Sequence, residues 1–312
     1  MRFPFSFRSH TEFGVFGFGT NAVDFLIEVP EYPNFNSKTR LSNFTRAPGG
    51  EVATTMVGLQ RLGVRTSYAG RFGDDDAGTF GRLSLQEEGV DLSYSEVVEG
   101  ASTQIAFIVI DERNGERTVI WDRDEDLRFE PDKAPIEAIE RSQVLHFTPH
   151  DVEACAILAK EARRSGVIVS ADIDDMFDGA EELFSLVDVF IAAADLPSKL
   201  FGPIEKRAAL RRLRELFGCR VMGLTQGQEG SLLLCEDVFI ETRGYAVPGG
   251  CRDTTGAGDS FRVGLLYGML KGETIEIAAQ MANAVAALKC RAVGARTALP
   301  TESELVDLMK NT

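Results

Sequence analysis

The residues best suited to chemistry lie in one short segment, Asp253-Thr254-Thr255-Gly256-Ala257-Gly258-Asp259. The small residues Gly256, Ala257 and Gly258 precede an apolar stretch that predicts a helix. The free N–H groups and the dipole of a helix N-terminus bind anions such as phosphate. Asp259 lies in the first turn of this predicted helix, beside the position at which an anion would bind. The segment therefore predicts an anion site with an adjacent carboxylate, and a plain turn capped by Asp259 is the alternative.

A second candidate group lies near the N-terminus. The stretch Gly17–Ala22 matches G-x-G-x-x-A, but the residues after it alternate as in a strand, which argues against a dinucleotide-binding turn. Asn21 and Asp24 would then lie at the sheet edge, where an amide and a carboxylate suit sugar hydroxyls, or form an ordinary polar turn. Gly49 and Gly50, before a predicted helix, let a backbone approach a ligand or make a tight loop.

The elements that must position these residues alternate between strands and helices. Apolar runs typical of strands occupy residues 13–17, 66–70, 144–147, 166–171, 187–191, 220–224 and 231–234. Helical patterns occupy residues 51–62, 77–88, 152–165, 206–217, 256–270 and 274–290, and Thr301 with Glu304 forms a capping box before a last helix. This alternation predicts an α/β fold in which helices cover both faces of a mostly parallel sheet.

Two stretches interrupt the alternation, residues 24–47 and 102–122. The first contains a strand-like run, Phe25–Val29, followed by a loop. The second predicts two strands, Thr103–Asp111 and Arg117–Trp121, joined by a spacer with a strong Asn-Gly hairpin signal. We expect a small antiparallel element at one edge of the core, either a lid or an ordinary excursion. Because no linker divides the chain, residues 1–312 are expected to form a single domain.

Composition and charge exclude several classes of protein. The 33 Lys and Arg residues against 48 Asp and Glu residues leave a net charge of −15, which repels nucleic-acid backbones and anionic membrane surfaces. Five scattered cysteines and three histidines show neither a disulfide framework nor a zinc motif. No run is apolar enough for a signal peptide or a membrane span. We therefore expect a cytoplasmic protein with small-molecule partners, neither a nucleic-acid nor a membrane binder.

The segment Asp253–Phe261 resembles the D-T-x-G-A-G-D signature of the ribokinase-like carbohydrate kinases, the PfkB family. The resemblance covers nearly the whole chain, and includes Pro48-Gly49-Gly50, Gly70–Asp75, Leu224–Gly227 and Leu299–Thr301. It implies a three-layer α/β/α fold with a small β-sheet lid, formed by residues 24–47 and 102–122. It also implies an ATP-dependent kinase that phosphorylates a hydroxyl of a small sugar, as ribokinases and fructokinases do.

The same resemblance implies roles for individual residues. Asp259 would be the catalytic base, and Gly256, Ala257 and Gly258 would form the anion hole. The residues implied to hold the sugar are Asn21, Asp24, Gly49, Gly50 and Thr54. Those implied to border ATP are Thr225, Gly227, Gly230 and Asn283. Mg²⁺ would accompany the nucleotide, and Asp253 with residues 292–295 resembles the family's monovalent-cation site, which implies K⁺.

Departures from the family pattern leave alternatives open. Thr54 stands where the family often has Asn, and the N-x-x-E motif has no match because alanines occupy residues 192–194. A nucleoside kinase, or a non-catalytic sugar-binding protein on the same scaffold, is the alternative function. Asp172 and Asp174, at a strand end, would either bind substrate or cap the next segment. An open edge of the lid sheet would let two chains pair as a homodimer.

Overall fold

The protein is described here by a computed structural model, which covers residues 1–177 and 179–311. Its strands are β1 (Phe13–Phe18), β2 (Ala22–Val29), β3 (Asn43–Gly49), β4 (Thr66–Ala69), β5 (Arg71–Gly73), β6 (Glu96–Val98), β7 (Ile105–Asp111), β8 (Arg117–Asp122), β9 (Ser142–Phe147), β10 (Ile168–Ile173), β11 (Val189–Ala193), β12 (Val221–Thr225), β13 (Ser231–Cys235) and β14 (Val238–Thr242). Its helices are α1 (Glu51–Arg61), α2 (Asp76–Glu87), α3 (Glu137–Glu140), α4 (Val152–Ser165), α5 (Ala180–Phe184), α6 (Leu196–Phe201), α7 (Lys206–Phe217), α8 (Ala257–Leu270), α9 (Ile275–Lys289) and α10 (Glu302–Lys310).

The main sheet has the strand order β14-β13-β12-β11-β10-β9-β1-β4. Neighbouring strands from β12 to β4 are parallel, whereas β13 and β14 are antiparallel additions at one edge. Successive side chains point to opposite faces, so Val15 packs with helices α1, α8 and α9, and Phe16 packs with α4, α5 and α7. The predicted α/β/α arrangement, with a mostly parallel central sheet, is confirmed.

A separate four-stranded sheet, the lid sheet, contains the two irregular stretches in the order β3-β2-β7-β8. One face packs onto the body of the protein, where buried Leu26 and Ile108 lie in a cluster with Val293. The Asn114-Gly115 hairpin joins β7 to β8 as predicted. The sheet is not wholly antiparallel, because β2 pairs with β7 in parallel.

Strand β3 corrects the expectation of a loop after Val29. Its seven residues pair antiparallel with β2, from Asn43 opposite Glu28 to Gly49 opposite Ala22. Asparagine and proline are poor strand formers, but β3 is an edge strand, where Pro48 removes no ladder hydrogen bond from a second neighbour. The ladder with β2, rather than local preference, therefore makes this segment extended.

Most element bounds agree with the pattern in the sequence. Helices α4 and α7 begin and end where they were predicted, and the capping box of Thr301 and Glu304 is present at α10. The short strands β5, β6 and β14 were not predicted. Among the described residues, no helix is long and apolar enough to cross a lipid bilayer.

Candidate active site

The predicted anion-binding segment forms the N-terminus of α8. Gly256 is the N-cap residue with a φ of 76°, and a Cβ atom there would lie 2.9 Å from the Ala295 side chain. Only glycine adopts this conformation without strain. The helix begins at Ala257, so the N–H groups of Gly258 and Asp259 belong to the first turn and have no acceptor within the helix. These donors and the helix dipole make the segment suited to an anion.

Asp259 lies in that first turn, and its carboxylate is partly exposed. No donor among the described residues forms a hydrogen bond with this carboxylate. The pKa of Asp259 is raised to about 6, chiefly by desolvation and also by the negative charge of Asp174, while the positive charge of Arg262 acts in the opposite direction. A carboxylate that is free of protein partners and titrates close to neutral pH is suited to accept a proton from a bound hydroxyl.

A buried cation, Arg262, lies directly behind the anion segment and was not predicted. Its Nη2 donates to the Ile191 carbonyl over 3.0 Å and pairs with the buried Asp172 carboxylate. A Cβ atom on Gly258 would lie 2.8 Å from Arg262 Nη1. Arg262 thus ties α8 to the carboxyl ends of β10 and β11. Asp172 pairs with Arg262 and makes no capping hydrogen bond to the described residues, whereas a contact with substrate stays a prediction.

The second candidate group converges on the carboxylate of Asp24, which lies on β2 of the lid sheet. A Cβ atom on Gly49 would lie 2.2 Å from Asp24 Oδ2, so only glycine leaves room for the carboxylate. The pKa of Asp24 is raised to about 7, chiefly by burial and also by the negative charge of Asp259, while the positive charge of Arg296 acts in the opposite direction. No hydrogen-bond donor of the described chain contacts this carboxylate either. Asp24 is therefore, with Asp259, a second carboxylate that accepts no hydrogen bond from the described residues, and unlike Asp259 it is buried.

Thr54 and Asn21 adjoin this group; Thr54 Oγ1 and Asn21 Nδ2 are already engaged, whereas Asn21 Oδ1 is buried without a partner among the described residues. The buried guanidinium of Arg296 donates to Thr54 Oγ1 over 3.3 Å and also to the Gly49 carbonyl. Asn21 Nδ2 donates to the Arg71 carbonyl over 2.9 Å. Both side chains are almost fully buried. Their contact with a sugar stays a prediction, whereas Arg296, which the sequence analysis missed, joins α1 to the strand that carries Gly49.

The residues expected near ATP lie around the connection from β12 to β13. Thr225 ends β12, Gly227 begins the following turn, and Gly230, with a φ of 106°, precedes β13. A Cβ atom on Gly230 would lie 2.0 Å from the Thr242 carbonyl oxygen, which requires glycine. Asn283 on α9 donates to Thr242 Oγ1 over 2.8 Å. The structure brings these residues together, and their nucleotide contacts stay predictions.

Asp253, expected at a cation site, is fully buried beside a lysine. Its Oδ1 accepts from the Thr255 N–H over 2.8 Å and its Oδ2 from the Gly294 N–H over 2.7 Å. Lys289 Nζ lies 3.6 Å from Oδ2 and donates to the Asp253 carbonyl over 2.8 Å. The Lys289 ammonium thus lies beside the carboxylate expected to bind a monovalent cation, and the cation site itself stays a prediction. Within the described ranges, no group of three or more His, Cys, Asp or Glu residues is arranged to hold a metal.

Comparison with known sequences identifies relatives along most of the chain. The family model for pfkB family carbohydrate kinases matches residues 16–302. A nucleoside kinase from Methanothermobacter thermautotrophicus is 28% identical over 92% of this chain and 93% of its own. A fructokinase from Klebsiella pneumoniae is 31% identical over 83% of this chain and 91% of its own. The two relatives have different acceptors in their names, so the similarity does not select one.

Solved structures share the fold. A candidate ribokinase from Agrobacterium tumefaciens has a TM-score of 0.87 at 24% identity, over 96% of this chain and 98% of its own. A candidate ribokinase II from E. coli, solved with ATP and Mg²⁺, has a TM-score of 0.83 at 19% identity, over 96% and 99%. At such identities the likeness concerns the fold alone. The family model, which spans most of the sequence, goes further: this chain belongs to the pfkB family of carbohydrate kinases.

Proposed function

We propose that this protein is an ATP-dependent kinase that phosphorylates a hydroxyl of a small sugar. The observation that carries the proposal is the Asp259 carboxylate, which has no donor within residues 1–177 and 179–311 and follows directly on the glycine segment at the start of α8. A pKa of about 6 leaves this carboxylate ionised at neutral pH and still basic enough to accept a proton. A base beside an anion site is the arrangement that phosphoryl transfer to an alcohol requires.

In the proposed reaction, Asp24 accepts a hydrogen bond from the sugar and holds it under the lid sheet. Asp259 takes the proton of the attacking hydroxyl as the oxygen bonds to the γ-phosphorus of ATP. The first-turn N–H groups of α8 stabilise the charge on the transferring phosphoryl group. Arg262 adds a fixed positive charge behind them. The bond from phosphorus to the β-phosphate oxygen breaks, and ADP leaves with that oxygen.

ATP with Mg²⁺ is the proposed phosphoryl donor, as in the E. coli relative of known structure. Mg²⁺ neutralises phosphate charge, and it commonly binds through phosphates, waters and one or two carboxylates rather than a protein cage. Glu51, which is partly exposed, and Asp174, which is exposed, are the proposed carboxylates for such a role, since the charge of Asp174 acts on the pKa of Asp259 and the charge of Asp259 acts on the pKa of Glu51. Thr225, Gly227, Gly230 and Asn283 are proposed to border the nucleotide.

The decisive experiment replaces the proposed base. Asp259→Asn should keep ATP affinity within about threefold but lower turnover by at least about a thousandfold, because only the proton acceptor is lost. Binding is measured by calorimetry and turnover by release of ADP over a panel of sugars. Asp307→Asn, on the exposed face of α10, is the matched control. Comparable turnover in Asp259→Asn and the wild type would refute the proposed mechanism.

A nucleoside is the second candidate acceptor, and one observation favours it. Asp24, Ala106 and Trp121 are in register across three strands of the lid sheet and so share one face. Trp121 is 57% exposed and its ring lies 6.3 Å from that of His150. The two outer positions are about 10 Å apart at ordinary strand spacing, which suits a ribose at Asp24 and a base stacked on the indole.

The same assay separates the two acceptors from a non-catalytic protein. Trp121→Ala should raise KM for a nucleoside by at least about tenfold and change KM for a simple sugar little, since stacking contributes about 1–3 kcal/mol. Equal effects on both would remove the nucleoside candidate. Absence of ADP release with every sugar and nucleoside, despite measurable ligand binding, would favour the non-catalytic binding protein.

The lid sheet is also proposed to join two chains in a homodimer. Its outer face, defined here by Phe25, Phe44, Phe107 and Ile120, is apolar and opposite to the buried face that contains Leu26. Phe44, Phe107 and Ile120 are each more than 40% exposed. A second copy of the same face would cover these rings.

A further inference from the structure

Lys289 is a buried lysine of the candidate site. It lies in the last turn of α9, is fully buried, and donates to the Asp253 carbonyl over 2.8 Å. Its Nζ is also 3.6 Å from the Asp253 carboxylate, which is fully buried as well. A lysine is rarely buried without a partner, and Lys289 contacts both the backbone carbonyl and the side-chain carboxylate of a single residue, Asp253.

The residues around Asp253 do not fit a monovalent metal ion in addition to this lysine. Each oxygen of Asp253 already accepts from the protein: Oδ1 from the Thr255 N–H, Oδ2 from the Gly294 N–H, and the carbonyl from Lys289. A hard cation needs several oxygen ligands at once. It would also share the one buried carboxylate with an ammonium, and like charges repel strongly where water is excluded.

We propose that the Lys289 ammonium replaces the monovalent cation, so that this kinase works without K⁺. The inference rests on the proposed kinase function. Lysine carries a compact point charge, which makes it a suitable substitute for a small cation. The difference is that a tethered ammonium is always present, whereas a metal ion must bind from solution.

The position of Lys289 explains what its charge does. Asp253 begins the segment that leads to Gly256 and to the N-terminus of α8, and its carboxylate fixes both that segment and Gly294. The ammonium neutralises this carboxylate, which would otherwise repel the phosphates of a nucleotide. Its field also reaches the proposed base, since Lys289 is among the charges that lower the pKa of Asp259.

The first test concerns the wild-type protein. Turnover is compared in KCl and in tetramethylammonium chloride at a constant ionic strength of about 0.1 M, with every reagent free of K⁺, Na⁺ and NH₄⁺. ADP is quantified by chromatography, so that no coupling enzyme adds its own cation requirement. We expect the two rates to agree within about twofold, and stimulation by K⁺ of more than about fivefold would overturn the proposal.

The second test removes the ammonium. Lys289→Ala should lower kcat/KM in tetramethylammonium chloride by at least about tenfold and recover activity in KCl, because the space vacated beside the Asp253 carboxylate, which has then lost its positive neighbour, now admits K⁺. Lys289→Arg keeps the charge and should gain no K⁺ dependence. Lys271→Ala, an exposed lysine just after α8, is the control. Full activity of Lys289→Ala without K⁺ would overturn the proposal.

A melting experiment gives a readout that does not need turnover. The Tm of the wild type should be the same in KCl and tetramethylammonium chloride, whereas the Tm of Lys289→Ala should rise with KCl as the ion binds the folded state. A rise in the wild type would show that K⁺ binds beside Lys289, against the proposal. If Lys289→Ala does not fold, Lys289→Gln and the wild-type melts decide. Lack of turnover with every acceptor would refute the kinase function while leaving these melts informative.

Discussion

Two carboxylates of the candidate site, Asp24 and Asp259, accept no hydrogen bond from any residue that the structure describes, and both have pKa values raised by desolvation. Each therefore costs free energy when it ionises in the folded protein. A raised pKa alone does not distinguish such groups, because burial also raises the pKa of Asp172, which pairs with Arg262. What distinguishes Asp24 and Asp259 is that no donor in the described part of the chain hydrogen-bonds to either carboxylate, and this favours a functional role for both groups over the alternatives of a turn or a cap.

The pH dependence of kcat/KM should follow Asp259. With a pKa of about 6, its carboxylate becomes protonated below that pH, and kcat/KM should fall about tenfold per pH unit on the acid side. Arg262 lowers this pKa, so Arg262→Met should move the acid limb to higher pH. Arg164→Met, a change on the exposed surface of α4, should leave the limb in place. An unmoved limb in Arg262→Met would contradict this electrostatic coupling.

Asp24→Asn should stabilise the protein without ligand, and more so as the pH rises. The pKa of Asp24 is about 7 in the folded state against 3.8 for an ordinary aspartate, so the folded state binds more protons between these values and its stability falls as pH increases. Asparagine avoids this loss. Between about pH 5 and pH 8 the Tm of the variant should gain at least about 2 °C on the wild type.

Scanning calorimetry at several pH values measures that difference. Asp307→Asn, an exposed aspartate on α10, should show no comparable change with pH. A Tm difference that stays constant or shrinks with rising pH would contradict the raised pKa of Asp24. Sugar turnover should fall in the same variant, because the neutral asparagine amide lacks the negative charge with which the Asp24 carboxylate accepts a hydrogen bond from the sugar hydroxyl.

The sequence located Asp24, Asp259 and the glycines but not the buried cations around them. Glycines that need a positive φ and a carboxylate in a first helical turn are local features, visible in a few consecutive residues. Arg262, Lys289 and Arg296 depend on partners far along the chain, such as Asp172 for Arg262. The available signal was a single charge inside an otherwise apolar helical stretch, Ser260–Leu270 for Arg262 and Ile277–Leu288 before Lys289.

At the scale of elements, the hairpin between β7 and β8 contacts the approach to the anion segment. The Gly115 carbonyl accepts from the Thr254 N–H and from Thr254 Oγ1, each over 3.0 Å. Arg117, on β8, donates to the same hydroxyl over 3.2 Å. Lid position and the geometry of the phosphate site are therefore coupled through Thr254.

Gly115→Ala should disturb both sites at once. Gly115 has a φ of 74°, and its Cβ atom would lie 2.9 Å from Cys251 Sγ and 3.1 Å from the Asp253 nitrogen. We expect kcat/KM for ATP and for the acceptor to fall together by at least about tenfold. Gly100→Ala is the matched control, because Gly100 has a φ of 78° and open space around it. Steady-state kinetics that show equal, small effects in both variants would contradict the coupling.

Elements with their own periodicity or turn signal were predictable, whereas strands that form only by pairing with a distant segment were not. Helices α4 and α7 follow from an apolar stripe and from clear ends at Gly166 and Gly218. Strand β3 depends on β2, and the parallel pairing of β2 with β7 joins segments about 80 residues apart. No local pattern carries that information, so the lid was predicted as one small antiparallel element built from two stretches, without its strand order, its parallel pair or its register.

At the scale of the whole molecule, the charge of −15 limits how a polyphosphate can bind. The buried positive charges of the site are Arg262 and Lys289 behind the anion segment and Arg296 beside Asp24, and the exposed Arg117 adds one more at Thr254. Backbone N–H groups supply the remaining donors. A surface that repels anions and a local set of fixed donors together favour a small phosphate compound over nucleic acid.

The outer face of the lid sheet is expected to form the contact between two chains. Phe25 stacks on Phe107 at 5.2 Å and on Phe44 at 6.1 Å, so the face is preformed and apolar, and a partner would cover it at little entropic cost. Light scattering should give twice the 34.1 kDa of one chain. Phe107→Glu should yield monomers, because two carboxylates would face each other across the interface, whereas Val238→Glu, on the opposite edge of the main sheet, should not. A monomeric wild type would reject the dimer, and the exposed rings would then need another partner of apolar surface.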